Sequence, residues 1–159
     1  MNNSERKEIL YKEIDLIQSC ITRMAQNSFM IKGWMITLVA VILALLPEKF
    51  DIKTLCFVGS IIISCFWILD AFFLKTEKLY RMKYEWIIQN RMNCDDYQFD
   101  LNPYNSNMWI KIKDEKVKRM KSESPCMIKM MFTMTTALIY VPLLVLIVIV
   151  FLLNCSSHG

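Results

Sequence analysis

The sequence predicts an all-α integral membrane protein with three transmembrane helices and a small cytoplasmic helical bundle. Three observations carry this expectation. Two apolar runs, residues 33–46 and 54–74, flank a short polar turn at 47–53, and a third run, residues 130–153, contains no charge. About 20 apolar residues suffice to cross a bilayer as a helix. More than half of the 159 residues are hydrophobic (55%), with only 3 Gly and 4 Pro, which is the composition of a helical membrane protein. Finally, the first two runs each carry one charge near the end remote from the turn: Lys32 and Asp70. Counted outward from Phe50, these charges fall at nearly equal depth if both runs are helices rising about 1.5 Å per residue. A charge at membrane depth is costly and usually has a partner, so the two are expected to pair.

Residues 1–28 read as a cytoplasmic helix. Ser4 offers a cap, and Glu5 and Glu8 suit the positive end of the helix dipole. Leu10, Ile14, Ile17, Ile21 and Met24 recur at steps of four and three, and the stripe continues through Ser28, Ile31, Met35, Leu38, Ile42 and Leu45. It packs either on a later helix of the same chain or on a second subunit. Lys32 and Trp34 fit a membrane interface, where amines snorkel and indoles gather. Gly33 offers a place for another helix to approach. No cleavage pattern follows the first run, so it reads as a retained anchor within the hairpin 29–74.

The second run presents small residues, Gly59, Ser60 and Ser64, suited to helix contact or to lining a polar path, and it ends on Trp67 in an aromatic belt around Asp70. The helix is expected to continue as a cytoplasmic extension with an aromatic stripe of Phe73, Tyr80, Tyr84, Ile87 and Ile88. Residues 75–124 complete the cytoplasmic part. Within them, 93–107 is a loop rich in Asn and Asp. Asp95, Asp96 and Asp100 lack the register and turn glycine of a calcium loop, and are expected as solvated turn and cap residues. Residues 108–120, with Trp109 among several Lys and Arg, read as a basic amphipathic helix facing lipid or protein. Ser124 and Pro125 then open a single helix over 125–153, with Thr133 and Thr136 adding polarity and Pro142 expected to kink it. Residues 154–159 form an outer tail.

Basic residues set the orientation. Residues 1–32 hold five Lys and Arg, the turn 47–53 holds two, 75–129 holds twelve and the tail none. The positive-inside rule puts the N-terminus and the long middle segment in the cytoplasm and the C-terminus outside. The small excess of base over acid gives no case for a nucleic-acid partner. Six scattered Cys and a single terminal His offer neither a zinc pattern nor a catalytic triad, and no phosphate-binding glycine motif is present. Neither an enzyme nor a cofactor is expected. The remaining role is that of a membrane bundle. One class is a homo-oligomeric pore or membrane-disturbing effector, with Lys32, Asp70, Ser28, Ser60, Ser64, Thr133 and Thr136 as candidate lining. The other is a non-conducting anchor that recruits a soluble partner through its cytoplasmic helices.

Two stretches together resemble a family of small bacterial inner-membrane proteins. They are residues 23–34, with Asn27-Ser28-Phe29 and Ile31-Lys32-Gly33-Trp34, and residues 66–74, with Phe66-Trp67 and Leu69-Asp70-Ala71, followed by Glu77 and Arg81. The resemblance covers about residues 20–90. It implies a first membrane hairpin bracketed by these motifs and genes often placed beside TIR-domain or other anti-phage defence genes. By that association, it also implies an effector that breaches the envelope when a cytoplasmic sensor partner detects infection. Phe72-Phe73 departs from the Tyr-Tyr common in the family, which removes any hydroxyl-dependent role there.

Overall fold

The computed structural model describes residues 2–45, 51–105, 107–111, 117–119 and 125–157, with backbone alone at 43, 45, 109–111, 117–119 and 155–157. Its elements in chain order are α1 (Asn3–Leu45), α2 (Ile52–Asn90), a two-stranded antiparallel hairpin β1 (Trp109–Lys111) and β2 (Val117–Arg119), α3 (Met127–Met131) and α4 (Met134–Ser157). Helix dominates, and α1, α2 and α4 are each long and apolar enough to cross a membrane. The chain forms two compact units. One contains Met1–Gln26 and Phe73–Cys126, the other Asn27–Phe72 and Met127–Gly159.

In the first unit, α1 starts two residues earlier than the Ser4 cap implies. The Asn2 carbonyl accepts the first helical bond from Arg6, and the Asn2 amide is held by the Glu5 carboxylate at 3.0 Å, half of a capping box. Ile17 and Cys20 of α1 bury against Leu79, Trp86 and Ile87 of α2, with Met108 closing the core. Of the expected α2 stripe, Tyr80 and Ile87 are buried, but Ile88 is 46% exposed. The loop after α2 is fastened by buried charge, while Asp95 and Asp96 are exposed and Asp100 caps a turn, as expected. Arg91 and Glu13 are fully buried and meet in a two-pronged pair, with Arg91 also reaching the Cys94, Asp96 and Tyr97 carbonyls. Buried Lys83 donates to the Asn102 carbonyl at 2.8 Å and pairs with Asp100 at 3.2 Å, while Asp95 pairs with Arg6 at 3.0 Å. Tyr97 and Phe99 sit at positive φ (55° and 53°), unusual for bulky residues, and the Phe99 amide donates to Glu13 at 2.7 Å.

The expected amphipathic helix over 108–120 is corrected: its described residues form the strands β1 and β2, paired Trp109 to Arg119 and Lys111 to Val117.

In the second unit, α1 and α2 run antiparallel with α4 against both. Met35, Ile63, Trp67 and Tyr140 form its core, with Val39, Leu143 and Ile147 packed around it. The α1 stripe drifts from the strict heptad: Ser28, Ile31 and Met35 are buried, but Leu38 is 38% exposed and Val39 takes its place. A straight helix falls about 20° behind a seven-residue repeat with each heptad, so the packed face moves to the next residue. The third span is also corrected. It is not one helix from 125; the helix breaks at Phe132-Thr133, between α3 and α4. Pro142 lies within α4, which continues as one helical element.

Candidate functional site: an intramembrane charge pair

Residues one turn apart on α1, Ser28 and Lys32, point at the same residue of α2. The Lys32 Nζ lies 2.7 Å from Asp70 Oδ2 and 2.9 Å from Oδ1. The Ser28 hydroxyl donates to Asp70 Oδ1 and accepts from Lys32 Nζ at 2.7 Å. The same amine also donates to the Ser28 carbonyl at 3.3 Å. Asp70 is wholly buried, and the Lys32 side chain keeps 15% of its exposure. Thus the pair expected from the sequence forms, with Ser28 completing a closed three-member set.

The third helix completes the enclosure. Tyr140 of α4 is fully buried, and its hydroxyl has no hydrogen-bond partner among the described residues. Sequence reasoning missed Tyr140. The available signal was that it is the one phenol in the uncharged run 130–153. Trp67, one turn before Asp70, stacks on Tyr140 (centroids 5.9 Å apart, planes 7° from parallel) and meets Phe132 edge-on at 5.3 Å. Its indole N–H donates to the Met131 carbonyl at 2.8 Å. Trp67 is therefore an interior clamp, not the membrane-interface residue expected. An indole so placed satisfies both its apolar body and its donor inside the bundle. Trp34 differs: it is 62% exposed, free to meet the lipid boundary. Trp109 lies in β1, and its side chain is outside the described residues.

The hydroxyls expected as pore lining are engaged elsewhere. Ser60 and Ser64 donate to the carbonyls four residues back, Cys56 and Ser60, both at 2.8 Å. Such bonds to the helix's own backbone use the hydroxyl's single donor and leave only its acceptor lone pairs for any other partner. Thr133 and the buried Thr136 cap the break between α3 and α4: Thr133 donates to Met130 O at 2.9 Å, and Thr136 reaches Met130 O and Met131 O. Gly59 does serve close packing, since a Cβ there would stand 3.3 Å from Ile147 Cδ1 of α4. Gly33 does not: among the described residues nothing lies within 4 Å of the place its Cβ would occupy, so no described helix uses it for approach.

Chemically, the site holds one positive and one negative charge with every strong donor directed inward. Removing one partner leaves the other charge uncompensated in a low-dielectric interior, which costs about 3–5 kcal/mol. No protein-family model, curated protein or solved structure matches this chain.

Proposed function

We propose that this protein is a homo-oligomeric membrane effector of the bacterial inner membrane. In this reading, the Lys32–Asp70 pair latches the three-helix bundle until a signal reaches the cytoplasmic unit. One observation carries it: a buried charge pair joins α1 to α2, one turn from Trp67, on which the buried Tyr140 of α4 stacks. A passive anchor needs no such pair. Apolar residues of the same volume hold buried sites as well or better, and ionisable residues within a span are functional by default. The exposed side chains of this unit, among them Phe29, Trp34, Ile36, Phe57, Ile61 and Leu138, are suited to lipid. The distribution of Lys and Arg supports a cytoplasmic N-terminus and an outer C-terminus. The role in anti-phage defence, with a sensor protein as partner, rests on the resemblance of residues 20–90 alone.

The alternative is a non-conducting anchor that recruits a soluble partner. It is favoured by Ser60, Ser64, Thr133 and Thr136 all being bonded to backbone, and by a groove of about 440 Å³ on the first unit lined by Gln18, Thr22, Arg81 and Glu85. Induced expression in cells loaded with a potential-sensitive dye separates the readings. A latch predicts that Asp70→Asn and Lys32→Met depolarise cells several-fold more than the native chain at equal membrane abundance. The double exchange Lys32→Asp with Asp70→Lys should return toward native behaviour. Loss of an existing depolarisation in the single variants would instead put the pair in the conducting path. A normal potential for every variant at high abundance would support the anchor.

A further inference from the structure

The second unit is packed unevenly along its length. Near the charge pair, Met35, Ile63 and Tyr140 are fully buried. Toward the other end, the three helices part around a cavity of about 340 Å³. Its walls include Val39 and Ile42 of α1, Leu55 and Gly59 of α2, and Leu143 and Ile147 of α4. These walls offer essentially no polar surface, so a water inside would lack the two to four partners that hold one in place. The cavity is not sealed. Ile52, Leu146 and Val150 line it and are also 39%, 53% and 41% exposed, so its mouth runs into the surface that the bilayer covers.

We propose that this slot is a binding site for one acyl chain of a bilayer phospholipid. Shape, lining and the outer surface it joins all favour a chain. Along α2 the lining runs from Ile52 to Ile63, about 16 Å of helix, and along α4 from Leu143 to Val150, so the slot extends along the helix axes. Its volume is roughly twice that of the engineered cavity of about 150 Å³ that takes benzene. The walls are apolar from three sides, and the surrounding hydrocarbon is a solvent already at the mouth. Gly59 keeps the slot open, because any larger residue would project toward Ile147. The bundle is thus clamped by charge at one end and filled by lipid at the other. This depends on the membrane placement of the helices and not on the effector reading, so the two fail separately.

The test reconstitutes the full chain in nanodiscs of phosphatidylethanolamine and phosphatidylglycerol doped with a phosphatidylcholine bearing a mid-chain diazirine. Photolabelling is mapped by peptide mass spectrometry. Labelling at Cys56, Gly59, Leu143 and Ile147 should exceed labelling at Phe57 and Ile61, outward residues of the same helix, by several-fold. Gly59→Leu should bring it down to their level. Equal labelling on both faces of α2 in the native chain overturns the proposal without any variant. So does efficient bismaleimide linkage of two chains through Cys56, which would place a second copy in the slot instead.

Discussion

Glu13 and Arg91 stand 78 positions apart, yet form the most enclosed charge pair among the described residues of the first unit. The guanidinium forks onto both carboxylate oxygens, lies 5.9 Å from the centre of the Trp86 ring, and gathers three loop carbonyls. An ammonium cannot reproduce that planar fork. Glu13→Ala and Arg91→Ala are each expected to destabilise the unit by about 3–5 kcal/mol. Arg91→Lys should recover only a minor part, and the apolar pair Glu13→Leu with Arg91→Met should cost less than either single change. Denaturant melting read at the Trp86 resonance of 5-fluorotryptophan-labelled protein measures this; a full rescue by Lys would remove the fork from the argument. Lys32 and Asp70 were legible in the sequence because a lone charge in an apolar run has few explanations. Glu13, Lys83 and Arg91 were not, because each lies among other charged residues and only the folded chain shows which ones lose water.

The break between α3 and α4 shows why element boundaries are harder to read than element types. Neither Gly nor Pro marks Phe132-Thr133; the break is held by what it bonds to. The Met131 carbonyl accepts from both the Trp67 indole and the Thr136 hydroxyl, and Met130 O accepts from Thr133. A bare carbonyl within a membrane costs several kcal/mol, so a helix can stop here only where side chains replace its lost bonds. Trp67→Phe and Thr136→Val should each destabilise by about 1 kcal/mol, since one donor to the Met131 carbonyl remains. Together they strip Met131 O, and the double variant should lose more than the sum by at least about 0.5 kcal/mol. Thermal unfolding of the four proteins in one detergent closes the cycle, and simple additivity would show that the two donors do not share that carbonyl. The strands β1 and β2 were misread for a different reason. The basic residues suggested an amphipathic helix, but each described strand is three residues long, too short for a strand period to be read from the sequence.

For the molecule as a whole, the same two long helices contribute to units built by different rules. The second unit was legible from composition, because three uninterrupted apolar stretches leave a helical membrane bundle as the one economical arrangement. The first unit was legible only as helix and loop, because its loop is fixed by ion pairs of long sequence separation. That difference gives the first unit a pH dependence of its own. Burial pushes the Asp100 carboxyl up, but hydrogen bonds from Asn105 and the Asn102 amide, together with the Lys83 charge, outweigh it and hold it below the usual carboxylate range. A carboxyl depressed in the folded chain adds stability above its unfolded pKa of about 4, and that contribution is lost as pH falls through the folded value. Acidification from pH 6 to below about 4 should therefore loosen the loop. The Trp86 resonance should report this as Tyr97, whose ring sits edge-on 5.8 Å away, moves off. Asp100→Asn should lower stability at pH 6 and flatten the profile between pH 6 and 3, because the titrating group is gone while Lys83 stays buried. A variant that kept the native acid profile would assign the transition to another carboxylate, with Asp95 beside Arg6 the next to replace.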